Sequence, residues 1–130
     1  GINLQMLRQL LFSIPLVFIM NHAFAIDCSV MNEQVKKKAV PVIPRWALMV
    51  KSKQRVYFHS APNDVCKIKG LFIIHSDNVT AYDLYKDQNK QEWVSVIYYS
   101  KRQDLESEIV EGWVKLNEFE NMGSDSLIHP

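Results

Sequence analysis

The chain has 130 residues, with 15 lysines and arginines, 14 aspartates and glutamates, and two cysteines. This length allows one ordinary domain at most. The near-zero net charge argues against the broad basic face that nucleic acid recognition requires, so we expect no nucleic acid partner.

The first 25 residues have the three-part layout of a secretory signal peptide. Arg8 precedes the apolar run "LLFSIPLVFIM", and the small-residue pattern Ala23-Phe24-Ala25 follows it. The run is shorter than the ~20 apolar residues of a transmembrane helix, and Pro15 interrupts it. We therefore expect cleavage after Ala25, no stable membrane anchor after cleavage, and a periplasmic or secreted protein.

Residues 26–44 are interpreted as an N-terminal arm with little amphipathic pattern of its own. For its run "KKK", at Lys36 to Lys38, a solvated flank is favoured over a contact with a headgroup or a cell-wall phosphate. Cys28 and Cys66 are an even pair in a small exported domain, which favours a disulfide over a nucleophilic thiol. The bridge would tie the arm to the domain by closing a loop of about 39 residues, for which chain entropy gives roughly 4 kcal/mol.

From Arg45 onward, short β-type runs alternate with polar turns, which is an all-β pattern. The runs are "RWALMV", "RVYFHS", "LFIIH", "VTAYDLYK", "EWVSVIYYS" and "IVEGWVKL". The fourth and fifth predict an antiparallel hairpin whose inward face carries Val94, Val96 and Tyr98. Five or six strands in residues 45–120 predict a small, partly open barrel. "NEFE" predicts one turn of 3₁₀ helix, and residues 121–130 predict a flexible tail.

Gly112 lies inside the last predicted strand, next to Trp113. A glycine in a strand interior indicates a bulge, a barrel corner or a close approach of another backbone. Because Gly112 and Val114 point to one side and Trp113 to the other, we expect a neighbouring aromatic ring over the glycine and the indole on the opposite surface. The segment therefore indicates a bend in a small barrel, and it carries information about fold rather than ligand.

Four motifs in order, "VYFHSAPNDVC", "FIIHSDNVTAYD", "EWVSVIYYS" and "EGWVKLNEF", resemble the bacterial SH3 family over about residues 46–119. The resemblance implies an SH3-like barrel in residues 45–120 of the type often attached to exported cell-wall enzymes. Ser76 replaces the turn glycine usual in the family, and the arm has no counterpart there. Family members bind peptidoglycan stem peptides, metals or protein partners, so the resemblance implies binding without identifying a ligand.

No Ser/His/Asp or Cys/His set stands in a catalytic context, and no third ligand accompanies His59 and His75 at metal-binding spacing. We expect no enzyme activity, no cofactor and no metal. The predicted function is an exported SH3-like binding module for a peptide, a peptidoglycan fragment or a protein. The alternative is a periplasmic immunity or inhibitor protein against a secreted cell-wall-degrading effector. The candidate ligand-binding residues are aromatic or acidic, namely Tyr82, Tyr85, Trp93, Tyr99, Asp104, Glu106 and Trp113.

Overall fold

The computed structural model describes residues 25–100 and 109–125. In these ranges a helix, α1 (Cys28–Lys38), precedes seven strands, and short 3₁₀ turns lie at Asp64–Cys66 and Leu116–Glu118. The strands are β1 (Val40–Val50), β2 (Val56–His59), β3 (Lys67–Ile73), β4 (Asn78–Lys86), β5 (Glu92–Tyr99), β6 (Ile109–Lys115) and β7 (Phe119–Ser124). The predicted signal peptide lies, apart from Ala25, outside the described residues.

All seven strands form one antiparallel sheet in the order β3-β2-β6-β5-β4-β1-β7. The sheet is not closed, so β3 and β7 are its edge strands. The all-β prediction is confirmed, whereas the predicted number of five or six strands is wrong. β7 includes residues 121–124 of the segment predicted as a flexible tail, and it pairs with β1, for example through Leu48 and Asn121. Only Phe119 is buried in β7, so no alternating pattern marks the strand in the sequence.

The main core lies on one face of the sheet, which we call the inner face. Val94 and Val96 of β5 are buried there and Tyr98 packs against them, which confirms the predicted inward face and the β4–β5 hairpin. β1, β2, β4 and β5 contribute two buried residues each to this core, and β3, β6 and β7 contribute one each. The buried members are Leu48, Val50, Val56, Phe58, Ile73, Val79, Ala81, Val94, Val96, Val114 and Phe119.

α1 lies in the segment interpreted from the sequence as an arm with little amphipathic pattern of its own, so most of this arm is helical. The pattern is weak because Val35 is the only buried residue of the helix. Local signals start and end it instead. The Asp27 carboxylate accepts a hydrogen bond from the Val30 N–H at 3.1 Å, and the lysines at 36–38 suit the negative end of the helix dipole.

The predicted disulfide is confirmed, because Cys28 at the start of α1 is bonded to Cys66 just before β3. A disulfide is typical of an oxidising extracellular compartment. β1 begins at Val40, so the segment predicted as an arm also contributes to the sheet. In the part of the chain that the structure describes, no helix has the length and apolar character needed to span a membrane.

β1 contains a wide bulge where it passes β4. Pro41 pairs with Asp83 and Trp46 with Ala81, so the four residues between them on β1 face only Tyr82. Val42 is buried within the bulge, while the side chain of Ile43 is 86% exposed. The bulge is therefore fixed at its base and presents an isoleucine to solvent.

Gly112 allows β2 to approach β6. A Cβ atom at this position would lie 3.0 Å from the His59 carbonyl oxygen and 3.2 Å from Cδ1 of Phe58. The pairing of β5 with β6 runs past Gly112 without a register shift, so the position is a close approach and not a bulge. The expected arrangement is confirmed: the Phe58 ring covers the glycine and the Trp113 indole is on the other side of the sheet.

Candidate functional site

α1 covers part of the opposite, outer face of the sheet. It does so through a second cluster of buried and half-buried residues, namely Val35, Trp93 and Trp113 with Met31, Ala39 and Tyr85. Both indole N–H groups are satisfied: Trp113 Nε1 donates to Asn32 Oδ1 at 2.7 Å, and Trp93 Nε1 donates to Asp87 Oδ2 at 3.0 Å. The helix is thus held on the sheet by the disulfide, two tryptophans and a side-chain hydrogen bond.

A groove of about 380 Å³ lies beside α1 on this face. Asn32 and Lys36 line it from the helix, and His59 lines it from β2. The central strands supply a mixed polar and apolar lining that includes Tyr82, Asp83, Ser95, Ile97 and Glu111. A concave site that places polar groups beside aromatic and aliphatic side chains is able to orient a ligand.

Two carboxylates line the groove, on β4 and β6. Asp83 is fixed by Ser95, its partner across the β4–β5 ladder: the Asp83 N–H donates to Ser95 Oγ at 3.1 Å, and Ser95 Oγ donates to Asp83 Oδ2 at 3.3 Å. Glu111 is exposed and pairs with Ile97 in the β5–β6 ladder. Among residues 25–100 and 109–125, neither carboxylate has an ion-pair partner. Asp83 and Glu111 therefore place negative charge on the sheet side of the groove, opposite Lys36 of the helix.

Tyr82 contributes the aromatic part of the lining. The guanidinium carbon of Arg45 lies 4.0 Å from the centroid of its ring, which holds the ring in place by a cation–π contact. Burial raises the pKa of Tyr82, and the neighbouring Tyr99 raises it further. The Tyr82 hydroxyl thus stays protonated at physiological pH and is able to donate a hydrogen bond.

His59 connects the groove to the packed cluster. Its side chain is buried, its ring lies edge-on to Trp93 with centroids 4.9 Å apart, and its Nδ1 is 3.1 Å from the carbonyl oxygen of Trp113. A carbonyl oxygen only accepts, so Nδ1 carries the proton and donates it. Burial lowers the pKa of His59, an effect partly opposed by the Trp113 carbonyl and by the charge of Asp64.

The lowered pKa of His59 predicts a pH-dependent stability. The unfolded chain takes up a proton near the ordinary pKa of 6.5, whereas the folded chain does so only at lower pH. The contribution of neutral His59 to the free energy of unfolding is therefore complete above about pH 6.5, and it is lost as the pH falls from there through the folded pKa. Urea unfolding at pH 7.5 and pH 5.0 should show a smaller loss for His59→Gln than for the wild type. The exposed His75 is the control, because His75→Gln should keep the wild-type loss; equal losses in all three proteins would contradict the prediction.

The structure divides the predicted site residues into two groups. Tyr82 lines the groove, and Tyr99 is exposed at 52% on the adjacent strand. Tyr85, Trp93 and Trp113 belong to the cluster beneath α1, where the two tryptophans are buried, and Trp113 also lines the groove. The acidic candidates, Asp104 and Glu106, lie outside the described residues.

The charged residues of the groove, Lys36, Asp83 and Glu111, are not among the site residues predicted from the sequence. Lys36 was part of a run explained by solvation, and Asp83 and Glu111 are single acidic residues within β-type segments. The one available signal is the position of a single acidic residue within a β-type run, because such a residue indicates the strand face that does not point into the core. No group of three His, Cys, Asp or Glu side chains suited to a metal ion occurs in the described ranges.

Comparison with known proteins adds no family to this description. No protein-family model, no curated protein and no solved structure matches the chain. The resemblance to the bacterial SH3 family therefore stays a prediction that rests on the four sequence motifs.

Proposed function

We propose that the protein is an exported binding module whose groove beside α1 takes up a short peptide that bears both an amino group and a carboxylate. One observation carries the proposal. Asp83 and Glu111 line the groove from the sheet without ion-pair partners among the described residues, and Lys36 lines it from the helix. A ligand with charges of both signs complements this arrangement, since charge complementarity selects the partner and its orientation.

The uncharged part of the lining supports a peptide over a small ion. Tyr82 offers a ring with a protonated hydroxyl, and Ile97 offers an aliphatic surface next to it on the sheet. A peptide side chain is able to pack on these two residues while its charged ends meet the carboxylates and the lysine. The stem peptides of peptidoglycan, which combine free amino and carboxyl groups, belong to this ligand class.

The construction of the groove also favours binding. One wall belongs to a helix that the Cys28–Cys66 bridge links covalently to the 3₁₀ turn before β3, and the other belongs to the central strands. Little chain needs to become ordered when a ligand enters such a site, so less free energy of binding is lost. The same bridge is typical of the compartment in which cell-wall peptides occur.

The test is a titration of the purified protein with a stem tripeptide that ends in a diamino acid, followed by calorimetry. Asp83→Asn combined with Glu111→Gln should weaken binding about tenfold or more, because each removed charge ends a charge-assisted contact of about 1.5–3 kcal/mol, reduced by exposure. Glu33→Gln combined with Glu120→Gln removes two exposed charges outside the groove lining and should bind as the wild type does. N-acetylation of the peptide's free amino groups should weaken binding to the wild type and leave the groove variant unaffected.

A second candidate function, inhibition of a secreted cell-wall hydrolase, is favoured by the bulge of β1. Ile43 is 86% exposed there while the neighbouring Val42 is buried, and an apolar residue presented on an anchored bulge suits insertion into a protein partner. The titration separates the two candidates. If no peptide binds, and the wild type captures a muramidase but Ile43→Ser does not, the inhibitor function is favoured over the peptide-binding function.

A further inference from the structure

β2 and β3 present a second surface, in which cations alternate with aromatic rings. The guanidinium carbon of Arg55 lies 4.4 Å from the centroid of the Phe72 ring, and the Lys67 ammonium lies 4.7 Å from that of Tyr57. The two rings pair across the strands, with centroids 5.6 Å apart. We call these four residues the cation–aromatic ladder. The rings favour positions of both cations above them before any ligand arrives.

The charge around the ladder is strongly one-sided. Residues 51–69 contain five cations and one carboxylate. That carboxylate, Asp64, is already paired with Lys115 at 2.9 Å. In the described part of the chain, neither Arg55 nor Lys67 forms an ion pair with a carboxylate. The cations are Lys51, Lys53, Arg55, Lys67 and Lys69, all of them exposed. A protein of near-zero net charge thus has five exposed cations on β3, just before β2 and in the turn that leads to it.

We propose that the cation–aromatic ladder binds an anionic glycan, meaning a sugar polymer that carries sulfate, phosphate or carboxylate groups. Arg55 and Lys67 stand at opposite ends of the ladder, with the Phe72–Tyr57 pair between them, so they meet a polymer at two separate points. Cations flank the ladder along the chain at both ends, at positions 51 and 53 and at position 69. An elongated, repeating anion uses all of these charges together, whereas a single small anion uses one or two.

The geometry favours a glycan over an acidic peptide added to the edge of the sheet. β3 is an edge strand, and edge strands accept extended peptides through their free backbone groups. However, the β2–β3 pairing has a register shift between Tyr57 and His59, and Gly70 has a φ of +81°. Bulges and lysines on an edge are features that prevent strand addition. The side chains of the ladder, and not the backbone edge, therefore make the binding surface.

A single-stranded nucleic acid is also less suited to the ladder than a glycan. Binding of this kind depends on free aromatic faces on which bases stack. Here each ring already has a cation over it and the other ring beside it, and both rings are half-buried. The disulfide is typical of an extracellular compartment, where anionic glycans are the abundant polyanions.

The test uses the full-length protein with its disulfide intact and heparin as the probe, at several salt concentrations. Arg55→Gln combined with Lys67→Gln should weaken heparin binding tenfold or more and should lower the slope of log Kobs against log salt by about two, one for each charge removed. Lys37→Gln combined with Lys86→Gln removes two exposed cations elsewhere and should change the affinity less than twofold. An equal loss in both double variants, or no loss in the first, would overturn the proposal.

Competition experiments identify the class of polymer. Polygalacturonate, a carboxylate glycan, should displace heparin, and uncharged dextran should not. Displacement by poly-L-glutamate or by a single-stranded oligonucleotide at the same concentration of charge, as effective as that by polygalacturonate, would overturn the assignment to glycans. Phe72→Leu adds an independent measurement: it keeps every charge but removes the ring beneath Arg55, so it should weaken heparin binding several-fold. Unchanged binding in Phe72→Leu would contradict the role given to the rings.

Discussion

Replacement of Trp93 by alanine is expected to lower the free energy of unfolding by about 3–5 kcal/mol, the usual cost of truncating a buried tryptophan. Only 1% of its surface is exposed, and it packs with Val35, Trp113 and the edge of the His59 ring. The loss has two parts: a cavity between α1 and the sheet, and an Asp87 carboxylate without its indole donor. Because the disulfide limits how far α1 is able to close the cavity, we expect a value in the upper part of this range.

Urea unfolding followed by circular dichroism measures this effect. The matched control is Tyr99→Ala, which truncates an aromatic residue of the same strand whose surface is 52% exposed. This variant should lose less than about 1 kcal/mol, as is usual for surface positions. Similar losses in the two variants would show that α1 does not bury Trp93 in solution.

The burial of Trp93 also decides which variants are informative about ligand binding. A Trp93→Ala protein that binds no ligand reports the loss of a groove wall, because the indole supports α1 and α1 carries Lys36. Asp83→Asn and Glu111→Gln remove charge from the groove lining while keeping the size of both side chains. These positions, and not the tryptophans, are therefore the proper test of the proposed function.

The regular strands of this fold can be predicted from the sequence, but the groove cannot. β5 pairs with β6 without a register shift, so its alternation correctly predicts the inward side chains of Val94 and Val96. β4 has a bulge between Ala81 and Asp83. Strict alternation places these two residues on one face, whereas the bulge puts Ala81 in the core and Asp83 in the groove. No glycine or proline marks this bulge, so the sequence gives no local signal for it.

The helix that covers the two tryptophans, α1, is also not predictable from the sequence. α1 has one buried residue, so its hydrophobic pattern is too weak to identify a helix. Its apolar partners, Trp93 and Trp113, lie more than 50 residues further along the chain. Helices of this length are marginal in isolation and form where tertiary contacts stabilise them. The helix, and with it the exposure of every aromatic beneath it, depends on long-range contacts that single-sequence patterns do not contain.

Removal of the disulfide, by Cys28→Ala together with Cys66→Ala, is expected to lower the free energy of unfolding by roughly 4 kcal/mol. The bridge spans a sequence separation of 38 residues, and closing a loop of this size restricts the unfolded chain by about that amount. In the folded state the same change releases the first turn of α1, which is otherwise held by the Asp27 cap and by packing further along the helix. The helix should therefore lose more protection than the sheet does.

Urea unfolding with and without dithiothreitol measures the first effect. The reductant should lower the midpoint of the wild type to that of the alanine variant and leave the variant unchanged; a wild type that is insensitive to reductant would contradict the prediction. Amide hydrogen exchange measures the second effect. If the amides of α1 exchange faster in the variant while those of β5 and β6 stay protected, the helix opens as a separate unit. Peptide binding in the groove should then weaken as well, because Asn32 and Lys36 line the groove only when α1 is docked.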